Sequence, residues 1–127
     1  MGYRLKVESY FSAAHRLREY HGKCESLHGH NWKVEISIVS DTLDKAGMVL
    51  DFKKIKAMLH TILSELDHKE LNKLPHFKKY NPTSELIAEY IFNKCSKKLK
   101  SPIVLESASV WETPSSCAVY YKNSDEK

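Results

Sequence analysis

The residues with the most chemical capacity crowd into Cys24-Glu25-Ser26-Leu27-His28-Gly29-His30, which places a thiol, a carboxylate and a His-x-His pair in one short window. Side chains two apart on an extended segment share a face, so His28 and His30 can offer two imidazoles to one metal ion. His15, at the end of an earlier alternating segment, is the best candidate for a third ligand. Three neutral imidazoles leave a tetrahedral Zn²⁺ with one open position, the arrangement of a catalytic site. Cys24 as a fourth ligand would instead close the site and make it structural. Both arrangements are compatible with the residue types alone.

The elements that position these groups are legible from periodicity. From Tyr3 onward Leu5, Val7, Phe11 and Ala13 alternate with Arg4, Lys6, Glu8 and Ser12, and His15 falls in phase with the apolar set. His28 and His30 run in the same phase as Trp32, Val34, Ile36 and Ile38, so the imidazole pair leads directly into a second strand. A turn-rich stretch, Asp41 to Gly47, follows. Ile55, Met58, Leu59, Ile62, Leu63 and Leu66 recur at helical spacing, and this helix should stop near Asp67-His68. Asn81-Pro82-Thr83-Ser84-Glu85 has a capping hydroxyl and an early acid, and Leu86, Ile87, Tyr90, Ile91 and Cys95 supply the stripe of a second helix. Ile103 to Trp111 and Cys117 to Tyr121, joined by Thr113-Pro114-Ser115-Ser116, read as a hairpin.

The expected fold is α+β: a four-stranded antiparallel sheet in the order ββααββ with both helices on one face. The uncovered strand edges invite pairing with further copies, and closure of several sheets into a barrel would cover them. Residues 1–122 form one domain, and 123–127 are expected to be a mobile tail.

Composition narrows the function classes. The chain has 127 residues, 42% of them hydrophobic, with 20 Lys and Arg against 16 Asp and Glu for a net +4. That charge is too mild and too evenly spread for a nucleic-acid binder, and it suits an anionic small substrate. Three cysteines without a CxxC pair argue against a disulfide framework. No apolar run is long enough to span a bilayer and the N-terminus already alternates as a strand, so a cytoplasmic location is expected.

Five segments occur in this chain in a recognisable order: Ala13-Ala14-His15-Arg16-Leu17, Cys24-x-x-x-His28-Gly29-His30, Leu66-Asp67-His68-x-x-Leu71-Asn72, Asn81-Pro82-Thr83-Ser84-Glu85 and Trp111-Glu112-Thr113. In this the chain resembles the 6-pyruvoyltetrahydropterin synthase family, most of all its bacterial branch, the 6-carboxy-5,6,7,8-tetrahydropterin synthases of queuosine biosynthesis. The resemblance implies a tunnelling fold, a homo-oligomer built around a barrel (a hexamer, as a dimer of trimers), active sites near subunit interfaces, and zinc-dependent lyase chemistry on 7,8-dihydroneopterin triphosphate. Carried over position by position, it implies zinc on His15, His28 and His30, and Cys24 as proton acceptor. It further implies Asp67-His68 as a proton relay, Glu112 as the anchor of the pterin ring, and Thr83, Ser84 and Glu85 as substrate-lining residues.

Plainer roles stand beside these. His68 can cap a helix end, Ser84-Glu85 can simply start one, and Glu106 competes with Glu112 for the anchor role. His21, His60 and His76 read as surface histidines, and Cys95 and Cys117 as packing residues. Glu25 makes the same window satisfy Glu-x-x-His-Gly-His, the pattern of a folate-linked branch that cleaves the same substrate to 6-hydroxymethyl-7,8-dihydropterin. Glu25 is therefore a candidate second base, able to give a mixed activity, or a loop residue. The remaining alternatives are a 6-pyruvoyl product and a non-enzymatic, zinc-stabilised binding module.

Overall fold

A computed structural model of the chain describes residues 1–20, 22–23 and 25–123; Cys24 and His21 lie outside the described residues, as do tail positions 124–127. Strands β1 (Tyr3–His15) and β2 (His28–Ser40) pair antiparallel along their whole length, from Tyr3 opposite Ser40 to His15 opposite His28. Strand alternation then sends Val7, Phe11 and Ala13 of β1 and Trp32, Val34, Ile36 and Ile38 of β2 into the core. Each fully buried aliphatic side chain of this kind contributes about 1.5–3 kcal/mol.

Helix α1 (Phe52–Leu63) starts where the Asp51 carboxylate accepts the Lys53 N–H, and it buries Ile55, Leu59, Ile62 and Leu63. The 13-residue helix α3 (Ser84–Ser96) starts where Thr83 Oγ1 accepts the Leu86 N–H, and it buries Ile87, Ala88, Ile91, Phe92 and Cys95. Strand β4 (Val104–Thr113) lies beside β2, and β5 (Ser116–Tyr121) closes the hairpin against β4. α1 packs on β1 and α3 on β4 and β5, so one continuous core fills the space between helices and sheet.

Two features correct the four-stranded, two-helix expectation. A short strand β3 (Lys69–Glu70) runs parallel to β1 at Ala13 and Ala14, giving a five-stranded sheet in the order β3-β1-β2-β4-β5. A 3₁₀ turn (Leu71–Lys73) and a five-residue helix α2 (Pro75–Lys79) follow, with Pro75 at the first helical turn where its missing N–H costs nothing. Segments this short have no hydrophobic period of their own and are set by what they dock on. Phe77 alone anchors α2 in the core.

The sheet face turned away from the helices carries cross-strand ion pairs beside exposed Tyr10, Val119 and Tyr121. Arg4 pairs with Glu106, Lys6 with Glu35, and Lys33 with Glu8, each across strands. Cys117, expected to pack, is instead exposed, because its register opposite Trp111 puts it on the sheet face turned away from the helices. Cys95 is buried as expected. Among the described residues, no helix is long and apolar enough to cross a membrane.

Candidate active site

The three histidines meet because β1 and β2 put them on the same face at the same end. His15 lies opposite His28, and His30 opposite Ala13, two residues further in. Their ring centroids are 4.8 Å (His15–His28), 5.4 Å (His15–His30) and 4.8 Å (His28–His30) apart. Trp32 is the floor beneath them: its ring is 4.9 Å from His15 and 5.3 Å from His30, it stacks on Phe11, and its Nε1–H donates to the Ala13 carbonyl at 3.2 Å.

Two backbone carbonyls fix the tautomers. His15 Nδ1 is 2.8 Å from the Pro82 oxygen, and His28 Nδ1 is 2.8 Å from the Ser26 oxygen. A carbonyl can only accept, so Nδ1 carries a proton, and in the neutral imidazole that metal ligation needs Nε2 presents a lone pair. His30 Nε2 is buried and lacks a hydrogen-bond partner. Burial lowers the pKa of His30 against the opposing pull of Glu112, which favours the neutral imidazole that metal ligation needs.

Glu112, one position beyond Trp111 in β4, completes the cluster. Its Oε1 lies 2.9 Å from His30 Nε2, outside hydrogen-bond geometry, 3.3 Å from His15 Nε2, within it, and 4.0 Å from His28 Nε2. Ser84 Oγ donates to its other oxygen at 3.3 Å. One ligand atom from each of these four residues falls within 4.8 Å of all the others. With the imidazoles neutral, nitrogen lone pairs facing a carboxylate are mutually repelling acceptors, and a cation between them relieves the repulsion. The donor set of imidazoles and carboxylate therefore fits a transition-metal ion, Zn²⁺ among them. Glu106 is not part of this cluster: its carboxylate is held by Arg4 Nε at 2.6 Å and Nη2 at 2.8 Å, and accepts from Ser37 Oγ.

Asp67 and His68 touch, although adjacency in sequence did not require it. Asp67 Oδ2 is 3.0 Å from His68 Nδ1 while Oδ1 accepts the Ser12 N–H at 2.8 Å. The His68 N–H donates to the Ser12 carbonyl at 2.6 Å, and His68 adopts a left-handed conformation, φ 57°. A histidine held there is strained, and the two bonds to Ser12 are what hold it. The Ser12 N–H, assisted by His68, keeps the Asp67 carboxyl below the usual carboxylate range. The exposed His68 imidazole shares a cleft of about 480 Å³ with Gly29, His30 and Asn31.

Of the remaining candidates, Ser84 reaches Glu112, Thr83 caps α3, and Glu85 is exposed in the first turn of that helix. Glu25 Oε1 accepts the Leu17 N–H at 3.0 Å. Sequence reasoning assigned no role to Ser12, Ser26, Asn72 or Asn81, or to the Pro82 carbonyl. Backbone acceptors carry no residue signature, and only the presence of both asparagines in the motifs hinted at a role.

The protein-family model described as 6-pyruvoyl tetrahydropterin synthase matches residues 4–123. The chain belongs to that family. A 6-carboxy-5,6,7,8-tetrahydropterin synthase of Synechocystis is 39% identical over 116 residues, covering 87% of each chain. A dihydroneopterin monophosphate aldolase of Pyrococcus furiosus is 35% identical over 111 residues, covering 86% of this chain and 89% of its own. The solved structure of Caenorhabditis elegans 6-pyruvoyl tetrahydropterin synthase superposes with a TM-score of 0.84 at 28% identity, over 97% of both chains. The fold is thus that of the pterin synthases, and the chain is an enzyme of their lyase type.

Proposed function

We propose that the protein converts 7,8-dihydroneopterin triphosphate to 6-carboxy-5,6,7,8-tetrahydropterin, with release of acetaldehyde and triphosphate, as a zinc-dependent step of queuosine biosynthesis. The observation that carries this reading is the cluster of His15, His28, His30 and Glu112 at one end of the sheet, with His68 on a cleft shared with His30. His15, His28 and His30 would hold the ion, which when bound polarises substrate oxygens and stabilises enolate-like charge.

The chain's own groups do the rest. Cys24 accepts, as its thiolate, a proton from a side-chain carbon of the substrate. His68 moves protons at the cleft, with its ring oriented through Nδ1 by the ionised Asp67. Glu112 accepts two N–H bonds from the 2-amino-pyrimidinone edge of the pterin, and Ser84 steadies its carboxylate. Thr83 and Glu85 line the substrate from the start of α3. The active form is a homo-oligomer, a hexamer closed around a barrel, which covers the sheet edges and sets the sites near subunit interfaces.

A second reading, cleavage to 6-hydroxymethyl-7,8-dihydropterin, is favoured by the likeness to the Pyrococcus furiosus aldolase. Incubation of the zinc-loaded protein with 7,8-dihydroneopterin triphosphate, and identification of every pterin formed, tests the proposal. The 6-carboxy product is expected to dominate. A sole hydroxymethyl or pyruvoyl product would replace the reaction, and no turnover would remove it.

A further inference from the structure

The segment that leaves the metal-ligand end of β1 is irregular, yet three consecutive residues in it have both backbone groups satisfied from elsewhere. The Arg16 N–H donates to Asn72 Oδ1 at 2.9 Å and its carbonyl accepts from Asn72 Nδ2 at 2.9 Å. The Arg18 N–H donates to Asn81 Oδ1 at 2.9 Å and its carbonyl accepts from Asn81 Nδ2 at 3.0 Å. Between them, the Leu17 N–H donates to Glu25 Oε1 at 3.0 Å while its carbonyl accepts the Glu25 N–H at 2.9 Å. Each carboxamide acts as a one-residue substitute for a neighbouring strand, and Glu25 does the same with one side-chain oxygen and its own N–H.

The brace ends on the metal ligands. The residue after Glu25 is Ser26, whose carbonyl takes the His28 Nδ1–H. The residue after Asn81 is Pro82, whose carbonyl takes the His15 Nδ1–H. Asn72 holds Arg16, the neighbour of His15 itself. Fixing 16–18 therefore fixes the two carbonyls that orient His15 and His28, and a metal-ligating histidine depends on such partners for its ring angle and its tautomer.

We infer that Glu25, together with Asn72 and Asn81, is a positioning residue that clamps backbone 16–18 and thereby orients the His15 and His28 ligand atoms, rather than a second base for the substrate. This deepens the proposed function and rests on it for the metal and product readouts. The acceptor role and the base role separate chemically. The Gln amide oxygen accepts the Leu17 N–H as the carboxylate does, but it does not take a proton from carbon.

The test compares wild type, Glu25→Gln and Glu25→Ala by three measurements. These are hydrogen exchange of the Leu17 amide in the metal-free protein, Zn²⁺ affinity by competition with a chelator, and the pterins formed from 7,8-dihydroneopterin triphosphate. Glu25→Ala should speed Leu17 exchange about tenfold and weaken zinc binding by roughly 10–100-fold, as loss of a supporting partner does. Glu25→Gln should stay close to wild type in exchange, affinity and product ratio. The inference is overturned if Glu25→Ala leaves exchange and affinity unchanged, or if Glu25→Gln loses a product that wild type makes while keeping wild-type exchange. Should Glu25→Ala not fold, Glu25→Gln alone decides: exchange and zinc affinity that are kept together, with the product ratio, or lost together support the clamp, whereas affinity or a product lost with wild-type exchange, or exchange lost with wild-type affinity, refutes it. If wild type turns over no pterin, the proposed reaction fails, whereas exchange and zinc affinity still judge the clamp.

Discussion

Replacing Trp32 with Phe tests whether the site rests on a rigid floor. Trp32 is 0% exposed, lies edge-on to His15 and His30, and donates Nε1–H to the Ala13 carbonyl. Phe keeps the stacking on Phe11 and removes the indole's second ring. Losing the hydrogen bond costs about 1 kcal/mol. The missing ring portion withdraws roughly 40 Å² of buried apolar area, about 1 kcal/mol at 25 cal/mol per Å². It also leaves a cavity of about 35 Å³, nearly another 1 kcal/mol at ~24 cal/mol per Å³. The sum, about 3 kcal/mol, is a large share of the roughly 5–15 kcal/mol that stabilises a domain. Urea denaturation should be run in chelator at a fixed protein concentration, since bound metal adds its own stabilisation by mass action. A parallel zinc titration should show weaker binding, because the rings of His15 and His30 gain freedom. A loss below about 1 kcal/mol would refute the floor, as it would mean that the neighbouring side chains relax into the space.

The other expectations are briefer. His28→Ala and His30→Ala should each strip zinc, measured by metal analysis after gel filtration, and zinc retention in the double variant would remove the assignment. Cys24→Ala and His68→Ala should each lower turnover by orders of magnitude with zinc retained, and zinc lost with Cys24 would instead indicate a closed structural site. Arg4 and Ser37 hold the Glu106 carboxyl below its ordinary range. The stabilisation this provides is present above the usual carboxylate pKa and is lost as pH falls through the lowered value. Glu106→Gln should therefore cost up to about 1 kcal/mol near neutrality, as befits a partly exposed pair, and the difference from wild type should vanish in acid.

The parts of the site that follow strand alternation could be read from the residues. His15, His28 and His30 share a phase with Phe11 and Trp32, and pairing β1 with β2 brings them together. The two long helices could be read from their stripes for the same reason. What escaped depends on contacts distant in sequence or on backbone atoms. Asn72 and Asn81 meet Arg16 and Arg18 across 56 and 63 positions, and the Pro82 carbonyl meets His15 across 67. β3 is two residues long and exists because β1 offers it an edge. Asp67 and His68 touch because Ser12 holds His68 at positive φ, which residue types alone do not reveal. The exposure of Cys117 follows from its phase in β5, which puts it on the face away from the helices while Ala118 and Tyr120 turn toward them.

The ion pairs on the outer face of the sheet have an electrical consequence. Arg4 with Glu106, Lys6 with Glu35 and Lys33 with Glu8 place six charges there, and every positive one has a negative one within 4 Å. Such neighbours form short dipoles whose potential decays much faster with distance than that of a lone charge. Seen from solution, this surface is crowded with ions and almost fieldless. A multiply charged anion approaching it feels neither pull nor push, so the excess of basic residues elsewhere on the molecule must supply any long-range guidance toward the histidines. Added salt should accordingly slow substrate capture through those other cations and leave the paired face indifferent.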